Sequence, residues 1–354
     1  MTIYLEHFGL NEAPFKITPH TEFFFAGANR GETLEALIYA ITSGEGMVKV
    51  TGEVGAGKTM LCRVLMERLP ATVETIYLAV PSLAPEEMLA TIADDLGVDV
   101  HGGNTTKLIR ALQARLIATH AEGKQVVALI DEAHAMPLET LEEIRLLSNL
   151  ETSHDKLMQI VLFGQPELDQ HLMLPNMRQL KERITHSFNL LPLPARDIKD
   201  YLNFRLRAAG YKGPDLFSPD ALKLIAEASE GLTRRINIYA DKTLLAAYAE
   251  NTHTVTPDHV RAAISDTQIV LPGARNSRSL GLAVAASLIV GSVIGFMAGR
   301  MTATTGQITI ATAGSSLPPV ATNAVKPPAA TIEAAAPATA GTLAPMLAPN
   351  ALAG

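Results

Sequence analysis

Between Met47 and Arg68 the chain passes from a short strand through a glycine-rich octet into a helix, and few folds accept that succession. Met47-Val48-Lys49-Val50-Thr51 is mostly apolar and β-branched, the mark of a buried strand. Gly52-Glu53-Val54-Gly55-Ala56-Gly57-Lys58-Thr59 fits G-x-x-x-x-G-K-[ST], and Thr59 to Arg68 (TMLCRVLMER) reads as the helix that leaves it. Glycines at these places let backbone N–H groups curl around an anion at a helix start, where the dipole also favours negative charge. Lys58 adds a point charge for the same oxygens, and the Thr59 hydroxyl can ligate Mg²⁺. The pattern predicts a nucleoside triphosphate site, ATP with Mg²⁺, enclosed by Gly52, Glu53, Val54, Gly55, Ala56, Gly57, Lys58, Thr59 and Met60.

Gln125-Val126-Val127-Ala128-Leu129-Ile130-Asp131-Glu132 begins a second constellation, its first acid 73 residues beyond Lys58. A continuous apolar run ending in two acids is a strand buried on both faces, with carboxylates at its C-terminal end. Asp131 is placed to hold Mg²⁺, usually through water, and Glu132 to polarise an attacking water. Ala133-His134 completes the spelling DEAH, which invites a helicase reading. The chain has room for one nucleotide-binding core only, so that reading is weak, and His134 is read as a local structural residue.

The periodicity between and after these motifs alternates. Helix signals cover Glu32–Ile41, Pro85–Leu96 behind Ser82, Thr106–His120, Leu138–Asn149 and a short stretch near Met177–Arg183. Strand signals cover Thr75–Ala79, Met158–Gly164 and His186–Leu190. This rhythm predicts an α/β domain over residues 1–194, a parallel sheet flanked by helices with ligands at the strand C-termini. After Pro192-Leu193-Pro194 only helices follow: Asp197–Ala209, Ser218–Glu230, Arg234–Glu250 and Pro257–Asp266. Ser218 and Thr256, each before a proline, are good helix starts. A P-loop sheet followed by a helical lid at 195–268 points to the AAA+ architecture.

That order makes three polar positions interpretable. Gln165 ends the MQIVLFG strand beside the Asp131 strand, where it can sense a γ-phosphate or orient water. Arg183 precedes the last strand, from which an arginine can enter a neighbouring subunit's nucleotide site and neutralise transition-state charge. Arg234 opens a lid helix and can reach the phosphates of its own chain. Arg178 and Arg235 are the alternatives to the two arginines.

The C-terminal part reads differently. Ser279–Gly299, SLGLAVAASLIVGSVIGFMAG, holds 21 residues without a charge, between Arg278 and Arg300. As a helix it spans a hydrocarbon core of about 30 Å. Residues 269–278 then form a juxtamembrane linker. The tail, residues 300–354, is rich in Ala, Pro and Thr and cannot form a core. Arg275 and Arg278 on the N-terminal side, against Lys326 and Glu333 after Arg300, predict a cytoplasmic ATPase domain and a translocated tail. Gly291, Gly295 and Gly299 make a small-residue face on which such helices can pack. Removing Arg300, Lys326 and Glu333 from 29 basic and 36 acidic residues leaves 27 against 35 in residues 1–278. A net charge of −8 argues against a dedicated nucleic-acid surface. The single cysteine, Cys62, excludes an internal disulfide and suits a reducing compartment.

Tyr4–Phe15 (YLEHFGLNEAPF), GEVGAGKTMLCR, DEAHAM, RLLSNLET and VLFGQPELD together resemble the ExeA/GspA-type AAA+ secretion ATPases, in particular those of mannose-sensitive haemagglutinin pilus systems. The resemblance covers about residues 1–268. It implies an inner-membrane ATPase, oligomeric with itself, that assists assembly of a type II secretion or type IV pilus apparatus. It also implies that Phe8, Gly9 and Leu10, on to Phe15, pack near the adenine. Members of that group often carry a folded peptidoglycan-binding domain after the span. Here a low-complexity tail follows, so peptidoglycan binding is not carried over. A DNA-linked ATPase of the transposition or replication-initiation type and a nucleotide-gated scaffold with slow hydrolysis are the competing readings.

Overall fold

The computed structural model describes residues 3–44, 46–79, 82–99, 105–152 and 155–270. Its first part is α1 (Leu5–Phe8), α2 (Arg30–Thr42), β1 (Met47–Thr51), α3 (Lys58–Arg68), β2 (Val73–Leu78), α4 (Pro85–Asp95), α5 (Thr105–Ala121) and β3 (Gln125–Ile130). Then come α6 (Leu138–Leu147), β4 (Met158–Gly164), α7 (Glu167–Leu172), α8 (Arg178–Glu182) and β5 (Ile184–Asn189). Four helices close the described chain: α9 (Ile198–Ala208), α10 (Pro219–Ser229), α11 (Thr233–Ala249) and α12 (Pro257–Val270).

The five strands lie in the order β2-β3-β4-β1-β5, and each pairing is parallel. β1 is buried along its whole length because β4 and β5 flank it and helices cover both faces. Successive residues therefore enter opposite cores. Met47 joins Ala128, Ile130, Ile160 and Leu162 under α4, α6 and α7, while Val48 and Val50 join Val127, Leu129, Val161 and Phe163 under α2 and α3. Lys49 faces the first of these layers, where a polar side chain needs a partner, and it pairs with Asp169 on α7.

A third core joins the helical lid to the start of the chain. Tyr4, Phe8, Leu10, Phe15 and Phe23 pack with Ile198, Leu202, Leu206, Ile225, Ile236 and Leu244. Arg205 fixes this attachment: buried on α9, it donates from Nε to the Pro14 carbonyl at 2.6 Å and from Nη2 to the Lys16 carbonyl at 3.2 Å. Its guanidinium also lies 4.8 Å from the centre of the Phe23 ring. The N-terminal segment, read from sequence as part of the nucleotide-binding domain, is thus packed on the lid.

α4 starts at Pro85, where the sequence places it: the Glu87 carboxylate accepts the Ala84 N–H at 3.0 Å and Pro85 needs no partner. Ser218 does cap α10, its hydroxyl accepting from Ala221 N at 3.3 Å. α7 was not anticipated, since six residues carry too short a pattern to mark a helix. Among the described residues no helix is long and apolar enough to cross a membrane. The expected span Ser279–Gly299 and the tail at 300–354 lie outside the described residues.

Candidate functional site

The phosphate loop turns between β1 and α3 with its glycines in the left-handed region. Gly55 has φ +81 and Gly57 φ +105, values that side chains strain to adopt. At Gly55 a Cβ would also stand 2.8 Å from Arg234 Cβ, so the lid's approach requires glycine there. Lys58, 5 % exposed, donates from Nζ to the Gly52 carbonyl at 2.8 Å and the Glu53 carbonyl at 3.2 Å. Burial lowers its pKa, against the opposing pull of Glu132, Asp131, Glu53 and Glu167.

The Thr59 hydroxyl donates to Asp131 Oδ2 at 2.9 Å, joining the start of α3 to the end of β3. Asp131 Oδ1 accepts the backbone N–H of Glu132 at 2.9 Å, and the Tyr77 hydroxyl lies 3.4 Å from Oδ2. Burial, then the Asp131 charge, pushes the Tyr77 hydroxyl up to about 12, so it stays a donor. Glu132 holds φ +54, a left-handed conformation costing about 1 kcal/mol for a residue with a side chain. Gln165 Nε2 stands 3.4 Å from Glu132 Oε2, as its place at the end of β4 predicts. His134 Nδ1 stands 3.5 Å from the same oxygen.

Of these groups Lys58, Thr59, Glu132 and Gln165 line a cleft of about 460 Å³ between the sheet and the lid. Arg30, Lys58, Arg205 and Arg234 line it with Lys16, against Glu132 as the acidic contribution. An excess of cations over a glycine-rich loop fits a polyanion of triphosphate size. Among the described residues no group of three or more His, Cys, Asp and Glu is placed to hold a metal. The Thr59 hydroxyl and the Asp131 carboxylate, 2.9 Å apart, are the side chains that could hold a Mg²⁺ beside phosphate oxygens.

Phe8, Gly9 and Leu10, expected beside the adenine, do not line this cleft. Phe8 and Leu10 are buried in the lid core, and Gly9 ends α1 at φ +64. The aromatic hydrophobicity of this segment serves packing on the lid. The wall near the loop comes instead from Lys16–Pro19 and Phe23–Phe25. Arg234 lines the cleft, and its backbone N–H donates to the Gly55 carbonyl at 3.1 Å. Arg235 pairs with Glu230 on the surface and Arg178 with Glu182, both outside the cleft.

Arg183 lies at the other end of the sheet. It precedes Ile184, which is in register with Met47 at the start of β1, whereas the phosphate loop follows Thr51 at its end. Five residues of strand separate the two levels by about 15 Å. Its Nη1 donates to Ser148 Oγ at 3.4 Å.

Several site residues have no local sequence signal. Arg30, 6 % exposed, donates from Nη2 to the carbonyls of Ala56 and Leu191 at 3.2 and 3.3 Å. Burial lowers its pKa, opposed by Tyr201 and Asp197. Thr233 donates to the Gly55 carbonyl at 2.7 Å. Only Tyr77 had a hint: an aromatic residue near the C-terminal end of β2, next to β3.

Residues 41–172 match the AAA domain family. Over 289 residues, 81% of the chain, the sequence is 39% identical to the general secretion pathway protein A of Aeromonas hydrophila, and the match covers 53% of that protein. The chain thus spans about half the length of this relative. Among solved structures, Cdc6p from Pyrobaculum aerophilum matches with a TM-score of 0.60 at 18% identity, over 76% of this chain and 73% of that one. The ORC2 protein of Aeropyrum pernix matches with a TM-score of 0.56 at 18% identity, over 72% and 71%. At such identity these likenesses speak for the fold, which is that of an AAA+ P-loop NTPase. The Aeromonas relative bears out the resemblance to the ExeA/GspA group.

Proposed function

We propose, from the premise that this chain is an AAA+ protein related to general secretion pathway protein A, that it binds and hydrolyses ATP at a membrane to assist assembly of a secretion or pilus apparatus. The observation that carries the hydrolytic reading is the bond between Thr59 and Asp131, with Glu132 and Gln165 opening into the same cleft. The phosphate loop holds the triphosphate by its backbone N–H groups, and Lys58 neutralises its oxygens. A Mg²⁺ at Thr59 and Asp131 supplies charge neutralisation there. Glu132 accepts the proton of a water as its oxygen forms the new bond to phosphorus and the bond to the leaving diphosphate breaks. Gln165 orients that water, and Arg234 brings the lid's charge to the phosphates.

Arg183 acts in this reading on a neighbouring copy. Its place at the far end of the sheet keeps it from its own chain's loop, so an arginine finger here requires a homo-oligomer. Ser279–Gly299 anchors the chain in the inner membrane, with the ATPase domain cytoplasmic and residues 300–354 beyond it. The relative's name supports a secretion partner, and the mannose-sensitive haemagglutinin type of pilus is the narrower choice that the sequence resemblance favours. A DNA-linked role has the fold likeness to Cdc6p and ORC2 alone behind it. The net charge of −8 over residues 1–278 counts against it.

The test is phosphate release by the detergent-solubilised full chain with Mg²⁺ and ATP. Lys58→Ala is expected to abolish nucleotide binding and turnover together. Turnover in that variant equal to wild type would place hydrolysis elsewhere.

A further inference from the structure

We propose that His134 is a positioning residue for Glu132. When the site closes on its substrate, Nδ1–H crosses the 3.5 Å gap to donate to Glu132 Oε2, the oxygen that the Gln165 amide also meets, leaving Oε1 to receive the proton of the attacking water. The proposal rests on the reading of Glu132 as the base.

The geometry begins with the backbone. Glu132 turns at φ +54 into the single helical turn Ala133–Ala135, and this reversal brings the side chain two residues on back beside the carboxylate. Ala133 is fully buried, and a Cβ built on Gly164 would come within 3.5 Å of His134 N, so the turn is held against the end of β4. The His134 side chain is 15% exposed, against 39% for Glu132. Its Nδ1 is buried and has no hydrogen-bond partner among the described residues. Among the described residues, Glu132 is the carboxylate within ion-pair reach of it, at 3.5 Å. A buried ring nitrogen with no other partner gains by donating to that oxygen.

The chemistry explains why the contact matters. A glutamate has three side-chain torsions, and this one is more than a third exposed. One donor from the side of β4 limits one direction of swing. A second, from the helical turn that follows Glu132, restricts the carboxylate further by meeting the same oxygen. Orientation of a general base is worth a substantial part of its contribution to rate. Sequence reading set His134 aside because DEAH alone gives no information about where its ring lies.

The experiment exploits the difference between the two amides. The Asn side-chain NH₂ reaches the place of Nδ1, whereas that of Gln reaches the place of Nε2. His134→Ala, His134→Asn and His134→Gln are compared in the full chain for kcat and KM, with fluorescent-nucleotide affinity as a check on the fold. The expected result is kcat lowered about ten-fold in His134→Ala with KM within about two-fold, restoration to within about three-fold by Asn, and none by Gln. Wild-type turnover in His134→Ala, or Asn and Gln variants that cannot be told apart, would overturn the proposal. If His134→Ala does not fold, the Asn–Gln comparison decides. Glu132→Gln runs alongside: wild-type turnover there would sink the base assignment itself, whereas a dead Glu132→Gln beside an active His134→Ala would sink the positioning role alone.

Discussion

Thr233 Oγ1 donates to the Gly55 carbonyl across 2.7 Å, tying the first turn of the lid helix α11 to the crown of the phosphate loop. The backbone N–H of Arg234 shares the same carbonyl at 3.1 Å. The lid and the loop are therefore joined at a residue that also has to be glycine for the lid to come so near. The lid is thus attached to the phosphate loop directly, and not only by way of the sheet.

Thr233→Val keeps the shape and removes the donor. A net hydrogen bond of about 1 kcal/mol corresponds to about a five-fold change in an equilibrium. Fluorescent-nucleotide titration is expected to show ATP affinity weakened by about that factor, with the thermal midpoint nearly unchanged. An unchanged affinity would mean that the Arg234 backbone bond alone docks the lid.

Tyr4 on the N-terminal segment donates to Asp241 on α11. Burial raises the Asp241 carboxyl above its ordinary range, and the Tyr4 bond opposes this only in part. The folded chain therefore binds this proton more tightly than the unfolded chain. Below the ordinary carboxylate pKa the acid is neutral in both states. As pH rises from there to the raised folded value the group costs stability, and beyond that value the cost is constant. Asp241→Asn keeps an acceptor for Tyr4 and removes the titration. In urea unfolding between pH 4 and pH 7, the stability of the variant relative to wild type is expected to increase with pH and then level. A difference independent of pH would contradict this assignment.

Mixing Arg183→Ala with Lys58→Ala protein tests the shared site. Each variant alone is expected to be inactive. Together they create interfaces with an intact loop from one copy and an intact arginine from the other, so part of the activity returns. Mixed oligomers that form without regaining activity would remove Arg183 from the reaction.

The nucleotide-binding half was legible because its signals are local. The strand–loop–helix at Met47–Arg68 and the two acids after Ile130 each carry their own geometry, and the parallel sheet brings Gln165 beside Glu132 by strand order. What escaped depends on contacts between distant parts of the chain. Arg205 reaches Pro14 across 191 residues and Thr233 reaches Gly55 across 178, and no periodicity encodes such pairs. The same limit explains Phe8 and Leu10. Their hydrophobicity announces burial but does not say whether a nucleotide or a lid helix provides it. The nearness of His134 to Glu132 is hidden for a different reason, since the left-handed turn at Glu132 cannot be read from Asp-Glu-Ala-His.

The most direct measurement is ATP turnover and ATP affinity in Glu132→Gln, made on the same preparation. The substitution preserves the shape and the contact with Gln165 but leaves no carboxylate to accept a proton. Affinity is expected to stay within about three-fold of wild type while turnover falls by a hundred-fold or more, on the order of what a positioned general base contributes. Turnover equal to wild type, with ATP still bound, would contradict the account.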